Sequence, residues 1–146
     1  MSSEAFVLTY NKALDLLSRR EHSRHELLQK LEKRYPETLP IIEDVLDKLE
    51  KNKILDDERF AEMFLQSRAK KGFGPKKIEM ELRARKVHAE FITIALEEYE
   101  TWDENAAKEL KKKFKGIAPH DYQSKMKQKQ FLFTRGFSSQ IIERVL

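Results

Sequence analysis

Ile41-Ile42-Glu43-Asp44-Val45-Leu46, Phe91-Ile92-Thr93-Ile94-Ala95-Leu96 and Ile141-Ile142-Glu143-Arg144-Val145-Leu146 stand fifty residues apart in a chain of 146. Four apolar positions match in all three copies: Ile41/Phe91/Ile141, Ile42/Ile92/Ile142, Val45/Ala95/Val145 and Leu46/Leu96/Leu146. Self-similarity at a fixed period of this size is the signature of stacked supersecondary units. Unrelated amphipathic helices also share apolar spacing. Two near-identical hexapeptides two periods apart make that explanation the poorer one.

Outward from these stretches, the apolar spacing is helical. Phe6, Tyr10, Ala13, Leu14 and Leu17 share one helical face, as do Phe91, Ile92, Ala95, Leu96 and Tyr99. The first unit reads as helices over 4–20, 24–34 and 39–52, with Ser23 and Glu26 as a capping box before the second. The next unit starts after Asp56 and Asp57, acids suited to a helix N-terminus. Gly72 and Gly74 then break the chain, Pro75 opens a helix over 75–86, and another covers 89–100. Thr101 and Glu104 suggest a second capping box before helices at 102–115 and 122–135. Gly136 stops the last of these and Ser138 caps the final helix.

The expected fold is therefore all-α, with three tandem three-helix repeats at 1–55, 56–100 and 101–146. A bundle of roughly 50 residues buries only a marginal core, so neighbouring units should lean on one another in an elongated, curved molecule.

Composition agrees. Only 4 Gly and 4 Pro leave little for the many tight turns of a strand-rich fold. The absence of Cys excludes disulfides, thiolate metal sites and cysteine nucleophiles. The longest apolar run is Ala5 to Leu8, too short for a membrane span. No basic segment precedes an apolar stretch as in a signal peptide, so a cytoplasmic location is expected.

The net charge of +4 is unevenly spread: residues 1–55 are neutral, 56–104 carry −3, and 105–146 carry +7. Arg68, Lys70, Lys71, Lys76, Lys77, Arg83, Arg85 and Lys86 crowd one stretch of the middle unit. Lys111, Lys112, Lys113, Lys115, Lys125, Lys127, Lys129 and Arg135 crowd the last. Such clusters attract polyanions, either nucleic acid or an acidic protein surface. The mixed charge of the first unit reads as an ordinary solvated face. Phe131, Phe133 and Phe137 interleave with the last cluster and have the chemistry to stack on bases. Phe137 repeats Val87 at the fifty-residue spacing, which marks it as core.

Signals of catalysis are sparse. There is no Walker A sequence, no G-x-G-x-x-G and no H-E-x-x-H. Gly72-Phe73-Gly74 lacks the preceding strand of a phosphate loop. His22, His25 and Glu26 lack further ligands at a metal-site spacing. Asp56 and Asp57 fit a helix N-terminus better than an acid–base pair. No catalytic residue, cofactor or metal is expected.

One longer stretch is specific. Residues 54–83, ILDDERFAEMFLQSRAKKGFGPKKIEMELR, resemble the central signature of the RecX regulatory proteins. The resemblance lies in Leu55-Asp56-Asp57, Arg59-Phe60-Ala61, Arg68, the turn at 71–75, Ile78 and Glu81-Leu82. LLSRREHSRHELLQKL at 16–31 resembles the family's first-repeat signature, and FLFTRGF at 131–137 its third. Lys86 departs from the pattern, because the family usually has glycine at the end of that helix. The resemblance implies a cytoplasmic bacterial protein of tandem three-helix repeats that binds RecA and the RecA–single-stranded-DNA filament along its helical groove. It further implies blocked filament extension or promoted disassembly, restrained ATP hydrolysis, strand exchange and co-protease activity in the SOS response, and some direct DNA binding.

The working expectation is a monomeric groove binder with no membrane association. By charge, Arg68, Lys70, Lys71, Lys76, Lys77, Arg83 and Lys86, with Lys111, Lys112, Lys113, Lys115, Lys125, Lys129 and Arg135, would face acidic RecA surface or DNA phosphates. The alternative is a helical nucleic-acid-binding module acting directly on DNA.

Overall fold

A computed structural model describes residues 2–146, with side-chain environments from residue 4 onward. Among the described residues it contains nine α-helices and no strand: α1 Ser2–Arg19, α2 Arg24–Arg34, α3 Leu39–Lys51, α4 Asp57–Lys70, α5 Pro75–Ala84, α6 Ala89–Glu98, α7 Trp102–Phe114, α8 Tyr122–Arg135 and α9 Ser139–Val145.

Local chemistry explains most of the ends. Ser23 Oγ accepts the Glu26 N–H while Glu26 reaches back to the Ser23 N–H, so the capping box ahead of α2 is formed. Asp56 accepts the N–H groups of Glu58 and Arg59 at the start of α4, and Ser138 accepts that of Ile141 at the start of α9. Pro75 is the first residue of α5, where its missing N–H costs nothing.

Three expectations need correction. Thr101 makes no cap hydrogen bond. Its backbone (φ −110°, ψ 31°) lies outside the extended region an N-cap uses, and its hydroxyl lies 3.3 Å from Asn105 Oδ1 instead. Helix α5 ends at Ala84 rather than residue 86. Lys86 is left-handed there (φ 59°), the Lys86 N–H reaches Arg83 O, and the Val87 N–H reaches Leu82 O. Those two bonds form a Schellman motif, which closes the helix two residues early. Helix α6 ends at Glu98 rather than residue 100 because Tyr99 turns extended and packs its ring 4.4 Å from that of Trp102.

The helices gather into three cores. The first is built on Ala13, Leu27, Leu31, Ile42, Val45, Leu46, Leu49 and Leu55. The next uses Phe60, Ala61, Leu65, Ile78, Leu82, Val87, Ile92 and Ala95, and the last uses Ala106, Leu132, Phe137, Ile141 and Ile142. The second matched position of the repeat, Ile42/Ile92/Ile142, is buried in every copy at 0%, 2% and 5% exposure. Burying each such side chain contributes about 1.5–3 kcal/mol. Trp102 packs against both the middle and the last core, so the units share apolar surface. The accessible area is 9677 Å². A compact chain of this mass would expose roughly 7,900 Å², so the molecule is elongated.

Polar contacts tie the first unit to the second. The Arg24 N–H donates to Asp57 Oδ1 at 2.7 Å. Arg59 Nε donates to Glu21 Oε2 at 2.6 Å, and its remaining nitrogens donate to the carbonyls of Lys53 and Ile54. Arg85 donates to Glu26 at 3.2 Å with its guanidinium 4.5 Å from the centre of the Phe64 ring. Asp56 and Asp57 are thus committed to backbone donors on two elements rather than paired with each other. His22 is buried between the Arg20 carbonyl and Lys30 Nζ, while His25 is half-buried nearby on α2.

Candidate functional site

The turn Lys71-Gly72-Phe73-Gly74-Pro75 organises the basic surface. Gly72 is left-handed (φ 97°), and the Phe73 N–H folds back onto Arg68 O, which ends α4. That turn throws the Phe73 ring beneath three cations. Arg68 lies 4.0 Å, Lys77 4.8 Å and Arg135 5.3 Å from its centre. Each such contact is worth about 0.5–1 kcal/mol where exposed and more where desolvated. Arg68 is also held by Glu81, with Nε to Oε1 at 2.9 Å and Nη2 to Oε2 at 2.7 Å. This bidentate geometry locks the guanidinium as a plate over Phe73.

The following residues dock the second unit onto the third by backbone. The Gly74 N–H donates to Arg135 O at 2.8 Å, and the Lys76 N–H donates to Gly136 O at 2.9 Å. The N-terminus of α5 therefore receives the carbonyl end of α8, an arrangement in which the two helix dipoles attract. Arg135 then spans the junction, with its guanidinium 5.3 Å from the centre of Phe73 and 5.4 Å from that of Phe131. Phe114, at the end of α7, meets Phe131 edge-on at 5.6 Å. Phe114, Phe131, Arg135, Phe73 and Arg68 form one continuous row across two units.

The row joins the two basic clusters that sequence placed forty residues apart. Lys70, Lys71 and Lys76 are exposed at one end, beside the turn and the start of α5. Lys111, Lys112, Lys113 and Lys115 are exposed at the other, around Phe114. None of these seven has an ion-pair partner among the described residues. Lys77 and Arg135 are half-buried within the row itself. The other sequence candidates are not tied to it. Arg83 is exposed and paired with Glu79 at 2.8 Å, and Lys129 is half-buried and paired with Glu143 at 3.2 Å. Lys86 and Lys125 are exposed elsewhere on α5's end and α8. Of the three phenylalanines in 131–137, Phe137 is fully buried as its spacing indicated, Phe131 is in the row, and Phe133 is 61% exposed.

The sequence reading places Phe73 in a chain break and in the turn of the family signature, and it gives Phe73, Phe114 and Glu81 no role at the surface. The signal for Phe73 was present in its flanking glycines, each of which allows a close approach. Nothing local marks Phe114 or Glu81, whose roles depend on what α8 and α4 bring to them.

Comparison with known proteins agrees with the repeat. Family models described as the first, second and third three-helix domains of RecX match residues 10–49, 56–96 and 102–146. A Regulatory protein RecX from Pseudomonas fluorescens (strain SBW25) is 38% identical over 144 residues, covering 98% of this chain and 92% of the relative. A Regulatory protein RecX from Pseudomonas entomophila (strain L48) is 40% identical over 142 residues, covering 96% of this chain and 90% of the relative. The crystal structure of RecX from Lactobacillus salivarius superposes with a TM-score of 0.82 at 25% identity, over 98% of this chain and 95% of that one. With all three repeats matched in order along nearly the whole length, the chain belongs to the RecX family of regulatory proteins.

Proposed function

We propose that this protein is a negative regulator of the RecA recombinase. It binds the RecA–single-stranded-DNA filament in its helical groove, limits extension or promotes disassembly, and so lowers ATPase, strand-exchange and co-protease activity. The observation that carries this reading, beside family membership, is the row from Arg68 to Phe114. It holds two sets of exposed lysines at a set spacing on an elongated body. A partner with one small acidic patch would need only one set, whereas a repeating partner can engage both. Linked weak contacts then add through effective concentration, so no single residue need dominate. A body seated across successive protomers would exclude duplex DNA and oppose motion between them. The protein acts as a monomer in this scheme, with no cofactor.

The test is RecA ATPase at fixed RecA and regulator, with single-stranded DNA raised from saturating to large excess. Groove binding predicts inhibition that persists in excess DNA. Inhibition that vanishes as DNA is added means that the regulator merely sequesters DNA, and overturns the proposal. That outcome would favour direct DNA binding, for which the exposed Phe133 and Tyr122 rings beside Lys125 and Lys129 supply stacking surface. Its mark would be a steep loss of affinity with salt, with a log–log slope near −0.9 per duplex phosphate contacted.

A further inference from the structure

The third repeat carries an acidic side chain that points against its own charge. Glu109, on α7, is only 7% exposed in a stretch otherwise crowded with lysines. Its carboxyl group lies over Gly72, where a Cβ would come within 2.4 Å of Glu109 Cδ. No hydrogen bond or ion pair reaches it among the described residues. Among the described residues no unpaired polar side-chain atom is sealed from solvent, so the carboxylate oxygens stay accessible. Glu109 lines a cleft of about 580 Å³ between α4 and α7, whose walls include Met63, Gln66, Ser67, Tyr99 and Asn105.

The chemistry of this cleft is specific. A solvent-accessible carboxylate without a protein partner is free to take directed donors from an arriving cation. The Tyr99 hydroxyl accepts from Asn105 Nδ2 at 2.7 Å, which anchors its ring in the cleft wall. A free carboxylate in a cleft that also holds an aromatic ring suits a guanidinium, which pairs through two parallel hydrogen bonds and stacks on aromatic faces, better than a compact ammonium. Lys70 and Lys108 also line the cleft, but neither pairs with Glu109.

We infer that the cleft between α4 and α7 receives an arginine side chain of the protein partner, whose guanidinium pairs with Glu109. This rests on the filament-binding reading above and deepens it. The lysine surfaces take acidic or phosphate groups, while the Glu109 carboxylate engages a cation of the protein partner and sets the register of the second and third repeats on it.

The test compares the affinity of the full chain, Glu109→Gln and Glu104→Gln for RecA–single-stranded-DNA filaments. Glu104 is exposed on the same helix, and both variants change net charge equally. Glu109→Gln should bind at least about tenfold more weakly, as expected for truncating one member of a desolvated charge pair. Glu104→Gln should bind as well as or better than the wild type, because general attraction to an anionic filament only grows. Gln66→Arg, at an exposed position on the cleft wall, should occupy the cleft with its own cation and weaken binding similarly. This second variant decides the matter if Glu109→Gln fails to fold. Wild-type affinity in Glu109→Gln, or in Gln66→Arg, overturns the inference and leaves filament binding standing. A wild-type chain that does not bind the filament overturns both.

Discussion

Gly74 and Gly136 meet backbone to backbone across the junction of the second and third repeats. A Cβ on Gly74 would lie 2.5 Å from the carbonyl carbon of Gly136, and one on Gly136 would lie 2.5 Å from Lys77 Cβ. The glycines belong to different units and different signatures, yet each makes room for the other's helix end. Their contact gives the two basic clusters a common frame.

Gly74→Ala should therefore loosen the junction. Gly74 has an ordinary backbone (φ −92°), so its only penalty is the clash, about 1–3 kcal/mol with the two backbone hydrogen bonds at risk. Gly116→Ala is the control. Gly116 is left-handed (φ 77°) with nothing within 4 Å of a new Cβ, so it should lose only about 1 kcal/mol. Urea denaturation measures both. Small-angle scattering should show a wider distribution of shapes for Gly74→Ala alone.

Lys86→Gly should stabilise the chain by about 0.5–1 kcal/mol, because Lys86 occupies a left-handed position that glycine adopts without strain. Thermal denaturation checks it. A lower midpoint would mean that the lysine stem contributes more than the backbone strain costs.

Changing Lys111, Lys112 and Lys113 together to Glu should weaken filament binding by about tenfold or more at low salt, with helicity by circular dichroism retained. All three are exposed and without an ion-pair partner among the described residues, so the change removes only their favourable place in the last turn of α7, about 0.3–1 kcal/mol each. Unchanged binding would make this end of the row an ordinary solvated face.

Acid should destabilise the first repeat through His22. Burial, foremost, and the nearby charges of Arg20 and Lys30 hold its pKa below 6.5, outweighing the pull of the Arg20 carbonyl and Glu26. The ring sits 3.0 Å from Arg20 O at Nδ1 and 2.8 Å from Lys30 Nζ at Nε2, a fit for a neutral imidazole that donates to one and accepts from the other. Below pH 6.5 the unfolded chain binds a proton that the folded chain refuses. The stability is thus fully present above 6.5 and is lost as pH falls toward the folded value. Urea midpoints at pH 7.5 and 5.5 should differ in the wild type and converge in His22→Gln. Glu26 and Asp57, neighbours of this junction, titrate from ordinary values of 4.5 and 3.8 and shift in opposite senses, Glu26 down and Asp57 up. Neither shift produces acid destabilisation between pH 7.5 and 5.5, so a variant that keeps the full pH difference would show that His22 is not its source.

Much of the fold was legible because its determinants are local. Apolar spacing at 41–46, 91–96 and 141–146, the Ser23–Glu26 box, Asp56, Pro75 and Gly136 each act within one or two turns, and each does in the structure what its chemistry indicates. The Thr101 cap and the last turns of α5 and α6 differ from the sequence reading where the backbone conformation at the helix end, rather than the residue type, decides the ending. Lys86 shows why: its side chain argues for helix, but the Val87 burial that closes the Schellman motif draws the chain into the left-handed region.

By itself the sequence determined the repeat and the all-α class, since both follow from periodicity, and the matched position Ile42/Ile92/Ile142 of the cores. It also marked which stretches are basic. Which charges remain free was decided only by the tertiary structure. Arg68 looks like any other cation in its stretch until Glu81 and Phe73 claim it, and Arg135 until it bridges two rings. Glu109 looks like one acid among lysines until Gly72 and the α4–α7 cleft bury it without a partner. Charge composition is a property of residues taken singly, whereas exposure and pairing depend on which distant segments the packing brings together.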